Sequence, residues 1–380
     1  MSQPTPCIRT ALIIGGGFSG MSAAIQLRRL GVAVDLVEID PGWRSYGAGI
    51  SLGGATLRAF RTLGILEEFL RLGAASDEVH LRLPHGLQVA TLPTPRLAGP
   101  DVPGGGAILR PVLARILAEA TRASGTTVRL GLSFSRITPV AGGAEVAFTD
   151  GTSGRYDLVI GADGLYSQVR RTLFADAAVP RYSGQAVWRA VLPRPAEVTT
   201  TLMWVGPKIK VGVNPVSADE MYLFVTEDRE TNDFVDPATF VERLDALLAP
   251  FPDPLVQGLR PQLASPDARI VYRPLEGLLQ PLPWHLGRTV LIGDTVHATT
   301  PHLASGACIG IEDAIVLAEE IGRAATAEAA IAAFEARRWE RCRMVVENSG
   351  RLGEIEITGG DKAEHQQIMR ASMAALAQPI

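Results

Sequence analysis

The sequence predicts an α/β protein: a parallel sheet with helices, interlocked with a mostly antiparallel β-sheet and followed by carboxy-terminal helices. Three observations predict this fold. Residues 10–40 follow the order strand, glycine turn, helix and strand. Two later apolar strands, at 157–161 and 288–292, run into turns that contain Gly and Asp. Residues 181–273 hold short strand-like runs separated by Pro, Gly and Asp, which is typical of an antiparallel layer.

The glycine turn after the first strand (Ala11–Ile14) carries Gly15, Gly17 and Gly20. This spacing permits, in order, a tight turn, close approach of the backbone to a diphosphate, and packing of the next helix against the strand. The diphosphate would lie at the positive end of that helix. Glu38, at the tip of the next strand, would accept hydrogen bonds from ribose hydroxyls. A plain glycine-rich turn is the alternative, but the full context favours a Rossmann-like dinucleotide site.

Composition limits the possible partners. The chain has 380 residues, 47% of them apolar, which suffices for one large or two interlocked domains. The net charge of −4 makes nucleic acid and anionic membranes poor candidates. Cys7, Cys308 and Cys342 lack disulfide or metal spacing, so we expect no metal site and a cytoplasmic location. The first ten residues do not resemble a signal peptide, and no apolar run is long enough to cross a bilayer.

The elements between residues 41 and 139 continue the amino-terminal region. Small residues at 46–52, Gly49 among them, would let the backbone approach something flat. Apolar residues on one face predict a helix over 55–69. The segments that follow are a strand pair within 79–92, a surface loop at 93–106, a helix from 108 to 123 that opens with Arg110 and Pro111, and short strands at 128–132 and 135–139.

The second half begins with a hairpin-like signal at 145–149 and 155–160. The strand 157–161 leads to Asp163 and to a helix that Ser167 could start, so Asp163 as a helix cap is an alternative to a binding role. Further predicted segments are strands at 186–192, 200–205, 208–213, 221–226 and 269–272, a helix at 237–248, the strand 288–292, and helices at 309–320, 325–347 and 362–377.

Three separated motifs occur in an order that one family shares: Gly15, Gly17 and Gly20 with Glu38; Asp163-Gly164 with Ser167 and Arg170; and Gly293-Asp294 with Pro301 and Gly306. Over nearly the whole chain they resemble the single-component flavin monooxygenases of the para-hydroxybenzoate hydroxylase-like fold, with urate-, salicylate- and hydroxynicotinate-type relatives. The resemblance implies an FAD-binding domain at 1–73, 100–177 and 270–350, a substrate-binding β domain at 74–99 and 178–269, and a helical tail at 351–380.

The resemblance also implies where FAD would bind. Arg110 would reach the cofactor, Asp294 would hold the ribityl chain, and the helix that begins near Gly306 would direct its positive end at the flavin pyrimidine edge. One departure is Ala304-Ser305-Gly306, where the family commonly has Gly-Gln-Gly. The residues implied in cofactor binding are Gly15, Gly17, Phe18, Ser19, Gly20, Glu38, Gly49, Arg110, Asp163, Asp294, Pro301, Gly306 and Ala307.

The reaction implied by the resemblance is hydroxylation of a small aromatic or heteroaromatic substrate that is phenolic or acidic. NADH or NADPH would reduce FAD, O₂ would add, and a flavin hydroperoxide would deliver oxygen. No second glycine fingerprint follows a later strand, so the nicotinamide cofactor would bind transiently to a monomer or homodimer. The alternatives are a tailoring hydroxylase of a larger polycyclic metabolite, a same-fold reductase, and a binding protein that uses FAD only structurally.

Candidates for the substrate wall come from the antiparallel layer. Lys210 and Tyr222 lie near the substrate-site Arg and Tyr of urate-type hydroxylases by loose alignment. Lys210 would attract an anionic substrate, and Tyr222 would donate a hydrogen bond or relay a proton; an exposed lysine and a core tyrosine are the alternatives. His302 could act on the substrate hydroxyl or serve as a structural loop histidine. Trp188 and Arg189 are weaker candidates, and Trp188 is expected to pack.

Overall fold

The computed structural model describes residues 6–380. The strands in this part of the chain are β1 (Thr10–Ile14), β2 (Ala33–Glu38), β3 (Gly49–Gly53), β4 (Ala74–Ser76), β5 (Glu78–Arg82), β6 (Gln88–Pro93), β7 (Gly105–Leu109), β8 (Thr127–Leu130), β9 (Phe134–Val140), β10 (Gly143–Phe148), β11 (Ser153–Tyr156), β12 (Leu158–Gly161), β13 (Arg181–Pro193), β14 (Thr201–Val205), β15 (Lys210–Pro215), β16 (Glu220–Asp228), β17 (Arg269–Gly277), β18 (His285–Leu286) and β19 (Thr289–Leu291). The helices are α1 (Phe18–Arg29), α2 (Gly54–Leu63), α3 (Leu66–Leu72), α4 (Arg110–Ala123), α5 (Gln168–Leu173), α6 (Phe240–Leu248), α7 (Pro254–Leu259), α8 (Asp294–His297), α9 (Gly306–Arg323), α10 (Ala327–Thr358) and α11 (Lys362–Ala377).

A six-stranded sheet with the order β18-β19-β12-β1-β2-β8 forms the first layer. Its strands are parallel except for the edge strand β18. Leu12, Ile13, Val159 and Ile160 are completely buried, because helices cover both faces of a parallel sheet. The carboxyl ends of β1, β2, β12 and β19 meet at one edge, where the three sequence motifs begin. Ligands of parallel α/β sheets bind at this edge.

A seven-stranded sheet with the order β17-β13-β16-β15-β14-β5-β6 forms the second layer. All of its pairs are antiparallel except β14 with β5. One face buries Trp188, Trp204 and Leu223 in a core with α6 and α7. Two three-stranded sheets, β11-β10-β9 and β3-β7-β4, complete the molecule. The predicted combination of a helix-covered parallel sheet, an antiparallel sheet and carboxy-terminal helices is confirmed.

The single helix predicted over 55–69 is wrong, because the chain forms α2 and α3 with a break at Gly64. Gly64 has φ 72° and closes α2 with backbone hydrogen bonds to Arg61 and Phe60. Leu63 and Leu66 are both buried, so the apolar pattern continues across the break although the helix does not. A left-handed glycine is a common helix terminator, and this signal outweighs the periodicity.

The hairpin predicted for 145–149 and 155–160 is only half present. β11 pairs with β10 as expected, but β12 leaves this pair and joins β1 in the parallel sheet. Asp157 lies between the two strands, and its carboxylate accepts the backbone N–H groups of Arg9 and Thr10 at 2.7 and 3.0 Å. These bonds redirect the chain from one sheet to the other.

The last third of the chain holds longer elements than the sequence suggested. The helix predicted over 325–347 extends as α10 to Thr358, across the expected tail boundary at 350. β17 continues to Gly277 and pairs with β13, so the second sheet extends past residue 270. Cys7, Cys308 and Cys342 are free thiols. None of the helices in residues 6–380 combines the length and apolar character needed to cross a bilayer.

The left-handed conformation of Gly64 gives a stability prediction. Gly64→Ala should lower the free energy of unfolding by about 1 kcal/mol, because a Cβ is disfavoured at φ 72°. Gly350→Ala is the matched control. A Cβ at Gly350 meets no atom within 4 Å, so the better helix former should raise stability by about 0.5–1 kcal/mol. Urea denaturation would measure both, and effects of the same sign would contradict the assignment.

Candidate active site

The glycine turn combines two crowded positions with one open position. Gly15 has φ 108°, and a Cβ there would lie 2.3 Å from the carbonyl oxygen of Ala162. A Cβ on Gly20 would lie 2.0 Å from the carbonyl oxygen of Gly15, so α1 packs on the turn only with glycine. A Cβ on Gly17 would meet no atom within 4 Å. The backbone at Gly17 therefore faces open space at the start of α1.

Glu38 closes this turn from the end of β2. Its two carboxylate oxygens accept the N–H groups of Gly16 and Asp40 at 2.7 and 2.8 Å. A carboxylate accepts about four hydrogen bonds, so Glu38 keeps acceptor capacity for a ligand. Leu130, paired with Glu38 across β2 and β8, lines a surface pocket of about 390 Å³ together with Trp43, Arg44, Arg115 and Arg122.

Phe18 and Ser19 begin α1, but their side chains serve packing. A Cβ on Gly293 or on Gly310 would lie 2.3 or 2.4 Å from Ser19 Oγ, so this hydroxyl fills the space between the two glycines. The Arg110 guanidinium carbon lies 5.9 Å from the centre of the Phe18 ring. The backbone N–H groups in the first turn of a helix lack intrahelical partners, so the N–H of Ser19 suits a diphosphate at the start of α1.

A buried carboxylate fixes the turn after β19. Asp313, on α9, accepts the Gly293 N–H at 2.9 Å and Arg338 Nε at 2.8 Å. His297 Nε2 lies 2.5 Å from the same carboxylate. Burial alone would raise the pKa of Asp313, but the charges of His297 and Arg338 outweigh it and lower that pKa. The turn that carries Asp294 is thus anchored from inside the protein.

Cys342 joins this cluster, which the sequence did not reveal. His297, Asp313 and Cys342 each place one possible metal-ligand atom within 4.8 Å of the others. Arg338 occupies the same region, with Nη2 3.5 Å from Cys342 Sγ and Nε bonded to Asp313. Because a guanidinium repels a second cation, we interpret these side chains as an internal ion cluster rather than a metal site.

The loop before α9 contains an unusual backbone conformation. Ala304 has φ 48°, in the left-handed region that non-glycine residues seldom adopt. This is the first position of the departure from Gly-Gln-Gly, and the methyl group costs about 1 kcal/mol there. Ser305 Oγ donates to the Leu303 carbonyl at 2.7 Å instead of capping the helix. Helix α9 begins with Gly306 and Ala307, a few residues after Pro301. Among the described residues, no side chain caps the first N–H groups of this helix.

Arg110 lies within electrostatic range of Asp294 and of Tyr222. The Asp294 side chain is surrounded by protein atoms, yet the residue is accessible to solvent. Burial raises the pKa of Asp294 and lowers the pKa of Arg110. Within residues 6–380 neither side chain takes part in a hydrogen bond or a close ion pair, so both are available to a ligand. Burial also raises the pKa of Tyr222, which is hydrogen-bonded to Ser51.

Gly49 explains how β3 approaches Tyr222 of the second sheet. A Cβ at Gly49 would lie 2.0 Å from the ring of Tyr222, so only glycine fits there. The small residues at 46–52 were expected to approach something flat. In this structure the flat group next to Gly49 is the Tyr222 ring.

The register of the second sheet shows which side chains share the face that carries Tyr222. Tyr222 pairs with Val191 and Asn214, and the neighbouring pairs place Arg189 opposite Phe224. Side chains paired across a sheet project to the same face, and neighbours along a strand alternate. Arg189 and Tyr222 therefore share one face, which we call the site face of the sheet. Lys210 lies on it too, whereas Trp188 is buried in the opposite core, as expected.

Lys210 does not present a free charge on the site face. Its Nζ lies 2.6 Å from Oε1 of Glu356, on α10. Burial alone would raise the pKa of Glu356, but the hydrogen bond from His365 and the charge of Lys210 outweigh it and lower that pKa to about 2. Glu356 is thus ionised at neutral pH and compensates the positive charge of Lys210.

His302 is enclosed by the same polar network. Its Nδ1 lies 2.9 Å from Thr300 Oγ1, and its Nε2 lies 3.0 Å from Gln185 Oε1. The side chain is 2% exposed. Burial lowers the pKa of His302 to about 4, although Glu356 opposes this shift. Both ring nitrogens already have protein partners, which favours the structural alternative for this histidine.

Asp163 likewise has protein partners that favour its alternative as a cap. Its carboxylate accepts the Ser167 hydroxyl at 2.5 Å and the N–H groups of Gln168 and Val169 at 2.7 and 3.0 Å. Ser167 in turn accepts the Arg170 N–H at 2.8 Å. Asp163 therefore holds the start of α5.

Two residues of this region had no local signal in the sequence. Glu356 meets Lys210 across 146 residues, and Ser51 meets Tyr222 across 171. Contacts of this kind depend on the docking of α10 and β3 against the second sheet. Only a known fold or an alignment could have indicated them.

The glycine turn and the anchored Asp294 suit a dinucleotide cofactor, and the similarity to known proteins places the chain among the flavoprotein monooxygenases. The chain belongs to the family described as FAD binding domain, whose model matches residues 9–349. The predicted recognition as an FAD-dependent hydroxylase and the predicted enzyme class are confirmed by this match and by the relatives described next.

Two relatives cover almost the whole chain. The aurachin C monooxygenase/isomerase of Stigmatella aurantiaca is 31% identical over 356 residues, covering 91% of this chain and 89% of the relative. The 2-heptyl-3-hydroxy-4(1H)-quinolone synthase of Pseudomonas aeruginosa is 32% identical over 361 residues, covering 91% and 90%. Among solved structures, Klebsiella pneumoniae HpxO complexed with FAD and uric acid has a TM-score of 0.80 at 25% identity, covering 98% and 93%.

The enclosure of His302 gives a prediction on pH dependence. The pKa of His302 is about 4 in the folded chain, below its usual 6.5, so the unfolded chain binds a proton that the folded chain excludes. The stability that this neutral histidine contributes is present above pH 6.5 and is lost as pH falls towards 4, by roughly 3 kcal/mol in total. His302→Gln should remove this part of the pH dependence in urea denaturation between pH 7 and 4.

The control for this prediction is the exposed His85, whose replacement by Gln should leave the pH dependence of the wild type intact. A His302→Gln protein with the same pH dependence as the wild type would show that the imidazole titrates normally in the folded chain.

Proposed function

We propose that the protein hydroxylates a small aromatic or heteroaromatic compound, using FAD, O₂ and NADH or NADPH. One observation carries this proposal: Arg110 lies within electrostatic range of Asp294 in the third motif, and its neighbour Leu109 packs with Tyr222 of the site face in one cluster. Among residues 6–380 neither Arg110 nor Asp294 has a side-chain hydrogen bond or a close ion pair. A ring bound against Tyr222 would lie next to a cofactor bound along the motifs. The family membership supports FAD as that cofactor.

The residues present fit an elongated dinucleotide. Gly17 leaves the backbone at the start of α1 open, and Glu38 keeps acceptor capacity next to a pocket that contains three arginines. The free Asp294 carboxylate would accept hydrogen bonds from the ribityl hydroxyls, and Arg110 would lie against the bound ring system. When bound, FAD supplies electron transfer and oxygen activation. We further propose that segments 1–73, 100–177 and 270–350 bind FAD and that 74–99 and 178–269 provide the substrate wall.

The protein's own contribution is orientation and the exclusion of water. The opposite face of the second sheet is packed against α6 and α7, so the site face is a firm wall. Tyr222 keeps its proton because burial raises its pKa, and it can donate a hydrogen bond to a ring substituent or pass a proton through Ser51. Water exclusion protects the activated oxygen from unproductive breakdown.

The substrate class follows from the relatives and the wall together. The relatives are named for a quinolone and for aurachin C, and the solved neighbour holds uric acid. We therefore infer an electron-rich heteroaromatic ring with an oxygen substituent. Within this class, a bicyclic ring is a second candidate. Of the two relatives, which are 31% and 32% identical to this chain, the second is named for a quinolone, which is bicyclic.

A substrate panel tests the function. Phenolic acids, hydroxypyridine acids, urate and 4-quinolones would each be added to the FAD-loaded protein with NADH or NADPH. We expect at least one compound to stimulate nicotinamide oxidation together with oxygen uptake and to yield a product one oxygen atom heavier. Oxidation that persists without oxygen would support a reductase instead. Tight FAD without nicotinamide oxidation under any condition would support a binding protein.

Asp294 gives the prediction for the cofactor. Asp294→Ala should weaken FAD binding by about 10- to 100-fold, since a charged hydrogen bond contributes roughly 1.5–3 kcal/mol. The measurement is the FAD-to-protein ratio after gel filtration, together with flavin titration of the apoprotein. The control is Asp267→Ala, which removes an exposed carboxylate just before β17 of the second sheet. Full retention of FAD by Asp294→Ala would remove this carboxylate from the cofactor site.

A further inference from the structure

Arg189 is a cation on the site face whose charge the fold does not compensate. It lies on the site face of the second sheet, two residues before Val191, which pairs with Tyr222. Protein surrounds most of the side chain, and burial lowers the pKa of Arg189 to about 10, so it stays protonated at neutral pH. Among residues 6–380 its guanidinium has no hydrogen-bond partner and no ion-pair partner. The residue is partly exposed, and it lies on the face of the sheet that carries Tyr222.

The charges around Arg189 increase this imbalance. After burial, the groups that act on it most strongly are Tyr222, Arg110 and Arg273. The two arginines repel it, and Tyr222 keeps its proton because burial raises the phenol pKa. Arg110 has Asp294 within reach of its charge, whereas no carboxylate stands among the strongest neighbours of Arg189. A half-buried guanidinium without a counter-ion is costly, and such groups cluster at functional sites.

Lys210, the cation that the sequence favoured for substrate binding, is compensated by contrast. Its Nζ is 2.6 Å from the ionised Glu356, which also contacts His365 at 3.2 Å. An anion that approached Lys210 would meet the carboxylate of Glu356 as well. Lys210 and Arg189 therefore differ in one respect: Lys210 is paired by the fold, whereas Arg189 has no ion-pair partner among residues 6–380.

We propose that Arg189 selects the substrate by binding a carboxylate or ring oxyanion of the aromatic ring that lies against Tyr222. This inference rests on the proposed function and narrows it to substrates that carry a negative charge. A guanidinium matches a carboxylate with two parallel hydrogen bonds, and the low polarity around Arg189 strengthens them. Arg189 would act in binding and orientation; it would form no bond to the reacting atoms.

Ligand binding to the FAD-loaded protein tests this proposal without turnover. Three acid and amide pairs serve as probes: 3-hydroxybenzoate and 3-hydroxybenzamide, 6-hydroxynicotinate and 6-hydroxynicotinamide, and 4-hydroxyquinoline-2-carboxylate and its amide. Each is titrated while the flavin absorption spectrum is recorded. The wild type should bind at least one acid more tightly than its amide, and Arg189→Gln should weaken that acid about tenfold or more while changing the amide less than about twofold.

Two further variants separate recognition from structure. Arg181→Gln removes the same charge from an exposed position of the same strand and should leave both dissociation constants unchanged. Arg189→Lys retains the positive charge but lacks the planar guanidinium that forms two parallel hydrogen bonds. It should bind the acid more tightly than Arg189→Gln but less tightly than the wild type. All variants should keep the wild-type FAD-to-protein ratio and flavin spectrum before a ligand is added.

Several outcomes would overturn the proposal. A wild type that does not distinguish any acid from its amide would do so, as would an Arg189→Gln protein that weakens acid and amide equally. Loss of FAD from Arg189→Gln would assign the guanidinium to the cofactor instead. The titration requires no turnover. A substrate panel that yields no hydroxylated product would therefore refute the proposed reaction, while the acid and amide titrations would still decide the role of Arg189.

Discussion

The hydrogen bond from the Gly293 N–H to the buried carboxylate of Asp313 is the contact on which the geometry of the site depends. Gly293 has φ 65°, and Ser19 Oγ fills the space beside it. The turn after β19, the start of α1 and α9 are therefore locked together at one point. Arg338 and His297 compensate the charge of Asp313, and loss of one partner from a buried pair of this kind costs roughly 3–5 kcal/mol. The position of Asp294, the next residue, follows from this anchor.

The second motif is attached to the same turn. Arg170 Nη1 donates to the Thr295 carbonyl at 2.5 Å, and the Thr295 hydroxyl accepts the Gly164 N–H at 3.1 Å. The ends of β12 and β19 thus form one rigid edge rather than two independent loops. A site built on such an edge holds its ligand contacts in place before the ligand arrives, which lowers the entropic cost of binding. The same edge explains the contacts of Asp163. By accepting N–H groups at the start of α5, Asp163 holds the helix from which Arg170 bonds to the turn after β19.

The parts of this architecture that the sequence revealed are those with a local cause. Glycine spacing, apolar runs and the acid at Glu38 predicted the first layer, because each acts within a few residues of the turn it shapes. The break at Gly64 was hidden because Leu63 and Leu66 preserve the apolar period across it. The pairing of Lys210 with Glu356 was hidden for another reason: 146 residues separate them, and residue type alone does not show which cation of a sheet face meets a carboxylate. The sequence around Lys210 and Arg189 does not show that one is paired and the other is not.

The carboxy-terminal helix α10 contacts the site face of the second sheet. Gly353 of α10 leaves room for the His302 ring, since a Cβ there would lie 2.8 Å from the imidazole Cε1. Three residues later Glu356 reaches Lys210 on the second sheet, and His365 of α11 contacts Glu356 from the other side. The loop before α9, the sheet and α10 therefore meet around one carboxylate. Because Glu356 compensates the charge of Lys210, the docking of α10 changes the electrostatic character of the site face, and among residues 6–380 the partly buried Arg189 beside Tyr222 has no ion-pair partner.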